Sequence, residues 1–297
     1  MKYEIMLAVL VLSSLGLSAK KYRVFYLGGQ SNMDGYGYVN QLSAELNQPI
    51  SDVYIFHGNT APDGGEVGGQ GVWEVLKPGH GAGHSSTFEG NKLSDRFGIE
   101  LTFAREMKRL FPNENIALIK YSKGGTSIHI KAAGDFGCWD PDFTKGNGIN
   151  QYDHFLETVK NACASDDIDE DGERDELIPA GILWMQGESD GHDEMIANAY
   201  FGNLKRLMNL IRAAFRTDDL PVVIGRISDS HNDSDGLVWD YGKIIRWQQA
   251  KYVNQDGHAA LVTSTDNYGY SDKWHYDTAG YIDFGKQFAL SIQPLIK

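Results

Sequence analysis

The chain has 297 residues, 40 acidic against 27 basic, and a formal net charge of −13. So acidic a surface argues against nucleic acid or an anionic membrane as the main partner. The length suits one large α/β domain, and the acidity suits a secreted protein acting on a neutral ligand.

In chain order, residues 1–19 read as a secretory signal peptide. Lys2 precedes the apolar stretch Met6–Leu17, and Ser18-Ala19 offers a small-residue cleavage site before Lys20-Lys21. An uncleaved anchor is the rival reading. The stretch is short for a span of about 20 residues, and Ser13 and Ser14 interrupt it. Residues 20–297 then read as one domain of a secreted or periplasmic protein, with no repeat and no Pro/Ser-rich linker to divide them.

Strands are predicted at Arg23–Leu27, Val53–Phe56, Ile116–Tyr121, Ala180–Gln186, Val222–Ile227 and Ala259–Thr263. Helices are predicted at Ile99–Phe111, Tyr152–Ala164, Asp193–Phe215, Tyr241–Val253 and Thr278–Ile292. This alternation favours a parallel sheet covered on both faces. Two irregular stretches interrupt it: Gly58–Asp95, with Trp73, His80, His84 and Phe88, and Ala132–Gln151, with Phe136, Trp139 and Phe143. Loops this long either wall a ligand site or pack on their own aromatics.

Between the second and third helical segments lies a D-x-D-x-D-G-x-x-D run with carboxylates at Asp167, Asp169, Asp171 and Asp175. Alternating oxygen ligands and a glycine turn are the chemistry of a calcium loop. Ile178 stands where an EF-hand needs its bidentate glutamate, so an EF-hand is not supported. The run is either a structural calcium loop or a solvated acidic turn. Cys138 and Cys163 are either bridged or two free thiols.

Four blocks carry the chemistry. Gly29-Gln30-Ser31-Asn32-Met33 closes the first strand and puts a hydroxyl at the carboxyl edge of the sheet, where open α/β proteins place their sites. Lys123-Gly124-Gly125-Thr126-Ser127 follows the third strand. Trp184-Met185-Gln186-Gly187-Glu188-Ser189-Asp190 ends the fourth, and Asp272-Lys273-Trp274-His275 precedes the last helix. Singly, each is ordinary: a turn serine, a common glycine turn, a helix-start histidine. Jointly they supply a nucleophile, a base to activate it and an acid to orient the base.

In this order the blocks resemble the SGNH hydrolase superfamily. Within it they look like the carbohydrate acetylesterase branch of sialate O-acetylesterase-like proteins and family 6 acetylxylan esterases. The resemblance runs from about Arg23 to Ile292. It implies a flavodoxin-like three-layer α/β/α sandwich with a parallel sheet of about five strands. It implies Ser31 as nucleophile, His275 as general base and Asp272 as the acid that orients it. The oxyanion donors it implies are the N–H groups of Ser31 and Gly125 and the side-chain amide of Gln186, with Gln30, Asn32 and Gly124 in support. Gln186 stands where the wider superfamily has asparagine. Glu188 either supports the loop or competes with Asp272 for His275.

No cofactor enters the implied mechanism. The implied substrate is an acetylated oligo- or polysaccharide; xylan, pectin and sialic acid all stay open. Trp73, Trp139 and Trp274 could each stack on a sugar or sit in the core. Two other function classes are the alternatives. A non-catalytic carbohydrate-binding protein would be favoured by loss of Ser31, Asp272 or His275, and all three are present. A nucleotide-binding domain would need G-x-G-x-x-G or a Walker A pattern in the first βα turn, and neither is there.

Overall fold

A computed structural model describes residues 19–61, 68–144 and 149–296. Apart from Ala19, the stretch read as a signal peptide lies outside the described residues.

The main strands are β1 (Lys21–Gly29), β2 (Val53–His57), β3 (Trp73–Val75), β4 (Asn115–Ser122), β5 (Glu176–Met185), β6 (Val222–Gly225) and β7 (Ala259–Val262). They form one sheet in the order β7-β6-β5-β1-β4-β2-β3, so the apolar run that begins at Tyr22 is its central strand. All six segments read as strands in the sequence are present and pair in parallel. The implied count of about five is corrected to seven. The strand that went unread is β3, an antiparallel edge of three residues. Trp-Glu-Val between glycine-rich flanks is too short to show an alternation.

β5 begins at Glu176, ahead of the predicted Ala180, and runs through Pro179. Its register against β1 slips there: Val24 faces Pro179 while Phe25 faces Gly181. Pro179 has no N–H to give to a ladder, and Ala180 is the extra residue of a bulge.

Five helices cover the sheet: α1 (Glu100–Leu110), α2 (Gln151–Ala162), α3 (Glu194–Ala214), α4 (Gly242–Gln255) and α5 (Thr278–Ile292). Three of their starts are set by side-chain caps. Asn150 accepts from the N–H groups of Tyr152 and Asp153, Asp193 from Ile196 and Asp277 from Gly280. Successive residues of β1 face opposite sides of the sheet. Phe25 meets Phe103 of α1 edge-on at 5.1 Å, and Ile292 of α5 fills the space left by the missing Cβ of Gly181. Tyr26 meets Phe155 of α2 at 4.8 Å and Phe215, just beyond α3, at 5.9 Å. Hence α1 and α5 cover one face and α2 and α3 the other, which is the expected α/β/α sandwich.

The register also decides where the blocks meet. Gly29, the last residue of β1, lies opposite Ser122 on β4 and Met185 on β5. The chain therefore leaves three adjacent strands side by side, with Ser31, Gly124-Gly125 and Gln186 just beyond. Cys138 is buried and Cys163 exposed, and both are free thiols. Among the described residues no helix is long and apolar enough to cross a membrane.

Candidate active site

The turn after β1 is forced by close backbone approach. Gly29 has φ +144°, and a Cβ there would lie 1.9 Å from the Met185 carbonyl oxygen. Gln30 N–H then donates to that oxygen at 2.9 Å, and Ser31 opens a short helical turn, Ser31–Asp34. The second block arrives alongside, with Lys123 N–H on Gly29 O at 3.1 Å. Gly125 has φ +74°, and a Cβ would strike the Phe136 ring at 2.5 Å. A side chain there would close the space where a backbone donor can approach a ligand. Gln30, Ser31, Gly124, Gly125, Trp274 and His275 all line one cavity of about 540 Å³. That size suits a small-molecule ligand.

The histidine loop is wound around one carboxylate. Asp272 Oδ1 accepts from the N–H groups of Trp274 at 2.7 Å and His275 at 2.8 Å. Asp272 Oδ2 lies 2.7 Å from His275 Nδ1. With Nδ1 engaged, Nε2 is the nitrogen left for a hydroxyl. Burial alone would raise the Asp272 pKa, but the hydrogen bonds from the imidazole and the two N–H groups outweigh it and hold it below the usual range. The His275 ring is further fixed by stacking on Tyr36, 3.5 Å between centroids and 3° from parallel.

Asn32 joins the serine turn to this loop. Its Nδ2 donates to Trp274 O at 3.1 Å and to Glu188 Oε1 at 2.8 Å, and its Oδ1 accepts from Tyr281 OH at 2.7 Å. Glu188 is thus bonded to Asn32, and no hydrogen bond joins it to His275 among the described residues. Burial pushes its carboxyl up, against the Asn32 hydrogen bond that favours the charge.

Gln186 is placed differently from what the resemblance implies. It is fully buried and is not among the residues lining the cavity. Its Nε2 faces Asp190 Oδ2 at 2.7 Å, Thr126 O at 3.1 Å and Gln30 Oε1 at 3.2 Å, more acceptors than its two hydrogens can serve. Gln30 sits in the cavity wall instead. Its Oε1 faces Gln186 Nε2 and the N–H groups of Gly187 and Ser189, each N–H at 3.4 Å. This leaves its NH₂ end without an acceptor among the described residues. Asp190 closes the network, accepting from Ile128 and His129 N–H at 3.0 Å each, and burial pushes its pKa up to about 7.

The tryptophans separate cleanly. Trp274 is exposed and lines the cavity. Trp73 lies on β3 with Nε1 donating to Ala162 O, and Trp139 is buried with Nε1 on Thr126 Oγ1. Trp239 reaches the cavity and was not anticipated. It sits in an irregular stretch with no motif around it. Tyr36 was also missed. Asp190 closes the third block, and its four-residue spacing from Gln186 is the sequence clue to their contact.

A family model described as carbohydrate esterase, sialic acid-specific acetylesterase matches residues 21–293. The chain belongs to this family. It is therefore a carboxylic ester hydrolase with a carbohydrate esterase role. No curated protein sequence matches it. Solved structures share the fold. A protein from Arabidopsis thaliana aligns with TM-score 0.62 at 20% identity, covering 94% of this chain and 100% of its own. A carbohydrate acetylesterase from Xanthomonas citri aligns with TM-score 0.61 at 17% identity, covering 92% of this chain and 56% of its own. NanS aligns with TM-score 0.59 at 13% identity, covering 94% and 98%.

In this esterase the acidic loop is folded on itself. Asp167, Asp169 and Asp175 each bring a carboxylate oxygen within 4.8 Å of the others. Lys20 Nζ bonds both Asp169 and Asp171, and Asp167 accepts from Asp171 and Gly172 N–H. The loop thus has a protein cation against it, beside the start of the central strand.

Proposed function

We propose that this esterase, secreted or periplasmic, removes O-acetyl groups from a carbohydrate through a Ser31–His275–Asp272 acyl-enzyme mechanism. What supports this is the Asp272–His275 pair, 2.7 Å apart, on the cavity that Ser31 also lines. Ser31 Oγ attacks the acetyl carbonyl while His275 Nε2 takes its proton. The N–H groups of Ser31 and Gly125 receive the oxyanion, with the Gln30 NH₂ in the role expected of Gln186. The sugar oxygen leaves with the proton from His275. Water, deprotonated by His275 in turn, releases acetate and restores the serine. None of these steps calls on a metal or cofactor.

The cavity wall favours a hydrated ring. Trp274, Trp239 and Phe136 offer aromatic surface, and Thr60, Gln30 and His192 offer polar atoms. A fatty chain would need a continuous apolar groove. Lys123 is the one Lys or Arg among the lining residues, which puts neutral acetylated glycans such as acetylxylan ahead of anionic sialate. The test is acetate release from acetylated xylan, acetylated pectin and O-acetyl sialic acid, beside p-nitrophenyl esters from acetate to octanoate. We expect kcat/KM to fall beyond propionate and xylan to exceed sialate. A rise with chain length would turn the reading towards a lipase-like hydrolase. Glycan binding with no acetate released would make the chain a carbohydrate-binding protein.

For the acidic loop we propose a structural calcium held by Asp167, Asp169, Asp171 and Asp175, in competition with Lys20. A ligand bound only by the native state raises stability by mass action. Melting in excess calcium should exceed melting in EDTA by a few degrees, with turnover unchanged. Equal melting temperatures would count against a bound calcium and leave the loop to its protein cations.

A further inference from the structure

His57, His80 and His84 take no part in acetyl transfer, yet the fold gathers them at the cavity. His57 ends β2; His80 and His84 stand in the long stretch before α1. The rings of His57 and His84 are stacked at 3.9 Å between centroids, and His80 lies 5.0 Å from His84 and 5.6 Å from His57. One nitrogen of each comes within 4.8 Å of the others. Nδ1 of His57, both nitrogens of His80 and Nε2 of His84 are buried without a hydrogen-bond partner among the described residues. Buried polar atoms normally have partners. Four imidazole nitrogens outside any hydrogen bond, gathered in one place, make a candidate ligand set.

We propose that His57, His80 and His84 bind a borderline divalent transition-metal ion of the zinc class in the wall of the esterase cavity. Three imidazoles suit zinc, and His57 and His84 both line the cavity, so the fourth position opens to it. Tetrahedral zinc needs its nitrogens about 3.4 Å apart. His57 and His84 are stacked 4° from parallel, so binding requires that stack to open, and His84, the least buried of the three, is the ring to turn.

The surrounding charge permits a cation. Lys120 opposes one, but its ammonium is paired with Glu100 Oε2 at 2.8 Å and donates to the carbonyls of Asp34 and His80. Glu74 adds a second carboxylate, with Oε1 3.4 Å from His80 Nε2. A metal on His80 Nδ1 makes Nε2 an N–H donor towards Glu74, the carboxylate–histidine–metal arrangement that orients a ligand ring. The site is independent of the acyl-enzyme mechanism.

The test is titration of the chelator-stripped full chain with zinc alone by calorimetry, then X-ray absorption of the loaded protein. We expect one equivalent with a shell of three imidazoles, the same in Ser31→Ala, and affinity lowered at least about 100-fold in His84→Gln and His57→Gln. Circular dichroism establishes that each variant is folded. If a variant unfolds, the coordination shell of the wild type decides. No uptake, uptake unchanged in both folded variants, or an oxygen-only shell would overturn the proposal; the last would place zinc on the acidic loop.

Discussion

Ser31→Ala is expected to lower kcat for p-nitrophenyl acetate by about 10³-fold or more while leaving the melting temperature nearly unchanged. The hydroxyl is the only atom lost, and its Oγ makes no hydrogen bond among the described residues whose loss would loosen the turn. Ser31 N–H stays, so the oxyanion donors stay, and the residual rate reports what positioning and electrostatics achieve without a nucleophile. Gln30→Ala in the same kinetic series should lower kcat by about 10²-fold through loss of one donor. Gln186→Ala should act mainly on stability, because its amide is spent on Asp190, Thr126 and Gln30. A Ser31→Ala enzyme keeping more than about a tenth of wild-type kcat would remove Ser31 as nucleophile.

What the sequence disclosed was local. An apolar run ending in Gly28-Gly29 marks a buried strand and a sharp turn whatever surrounds it, and six strands were readable in this way. Asp272 and His275 were readable because three residues of loop suffice to bring a carboxylate to Nδ1. What the sequence concealed is long-range. Nothing at position 186 tells that the amide turns inward, since its acceptors come from three other segments. Lys120 interrupts an otherwise apolar strand, and nothing local tells that it is a buried ion whose partner, Glu100, lies on a separate helix. Only the assembled sheet puts His57 beside a loop more than twenty residues later in the chain. Trp73 and Trp274 are alike as letters. Their roles differ because one falls on an edge strand and the other on the histidine loop.

Asp272→Asn should be the second most damaging change, and its margin over Glu188→Gln assigns the orienting acid. Three donors surround Asp272: His275 Nδ1 and the N–H groups of Trp274 and His275. Asparagine keeps one acceptor oxygen for the two N–H groups and turns an NH₂ towards Nδ1. The ring must then carry its proton on Nε2, where it cannot accept one from Ser31. A buried acid in this position is worth about 10⁴ in kcat. The Asp272 side chain is 41% exposed, so water can take over part of the orienting, and about 10²–10³-fold is expected instead. Glu188 bonds Asn32 at 2.8 Å, and burial already raises its pKa, so a neutral glutamine can keep the contact through its carbonyl oxygen. Its loss should stay under about tenfold. Steady-state kinetics of both variants, with circular dichroism to show that each is folded, separates the cases. If Glu188→Gln is the slower enzyme, then Glu188 orients His275 in solution and Asp272 only shapes the loop.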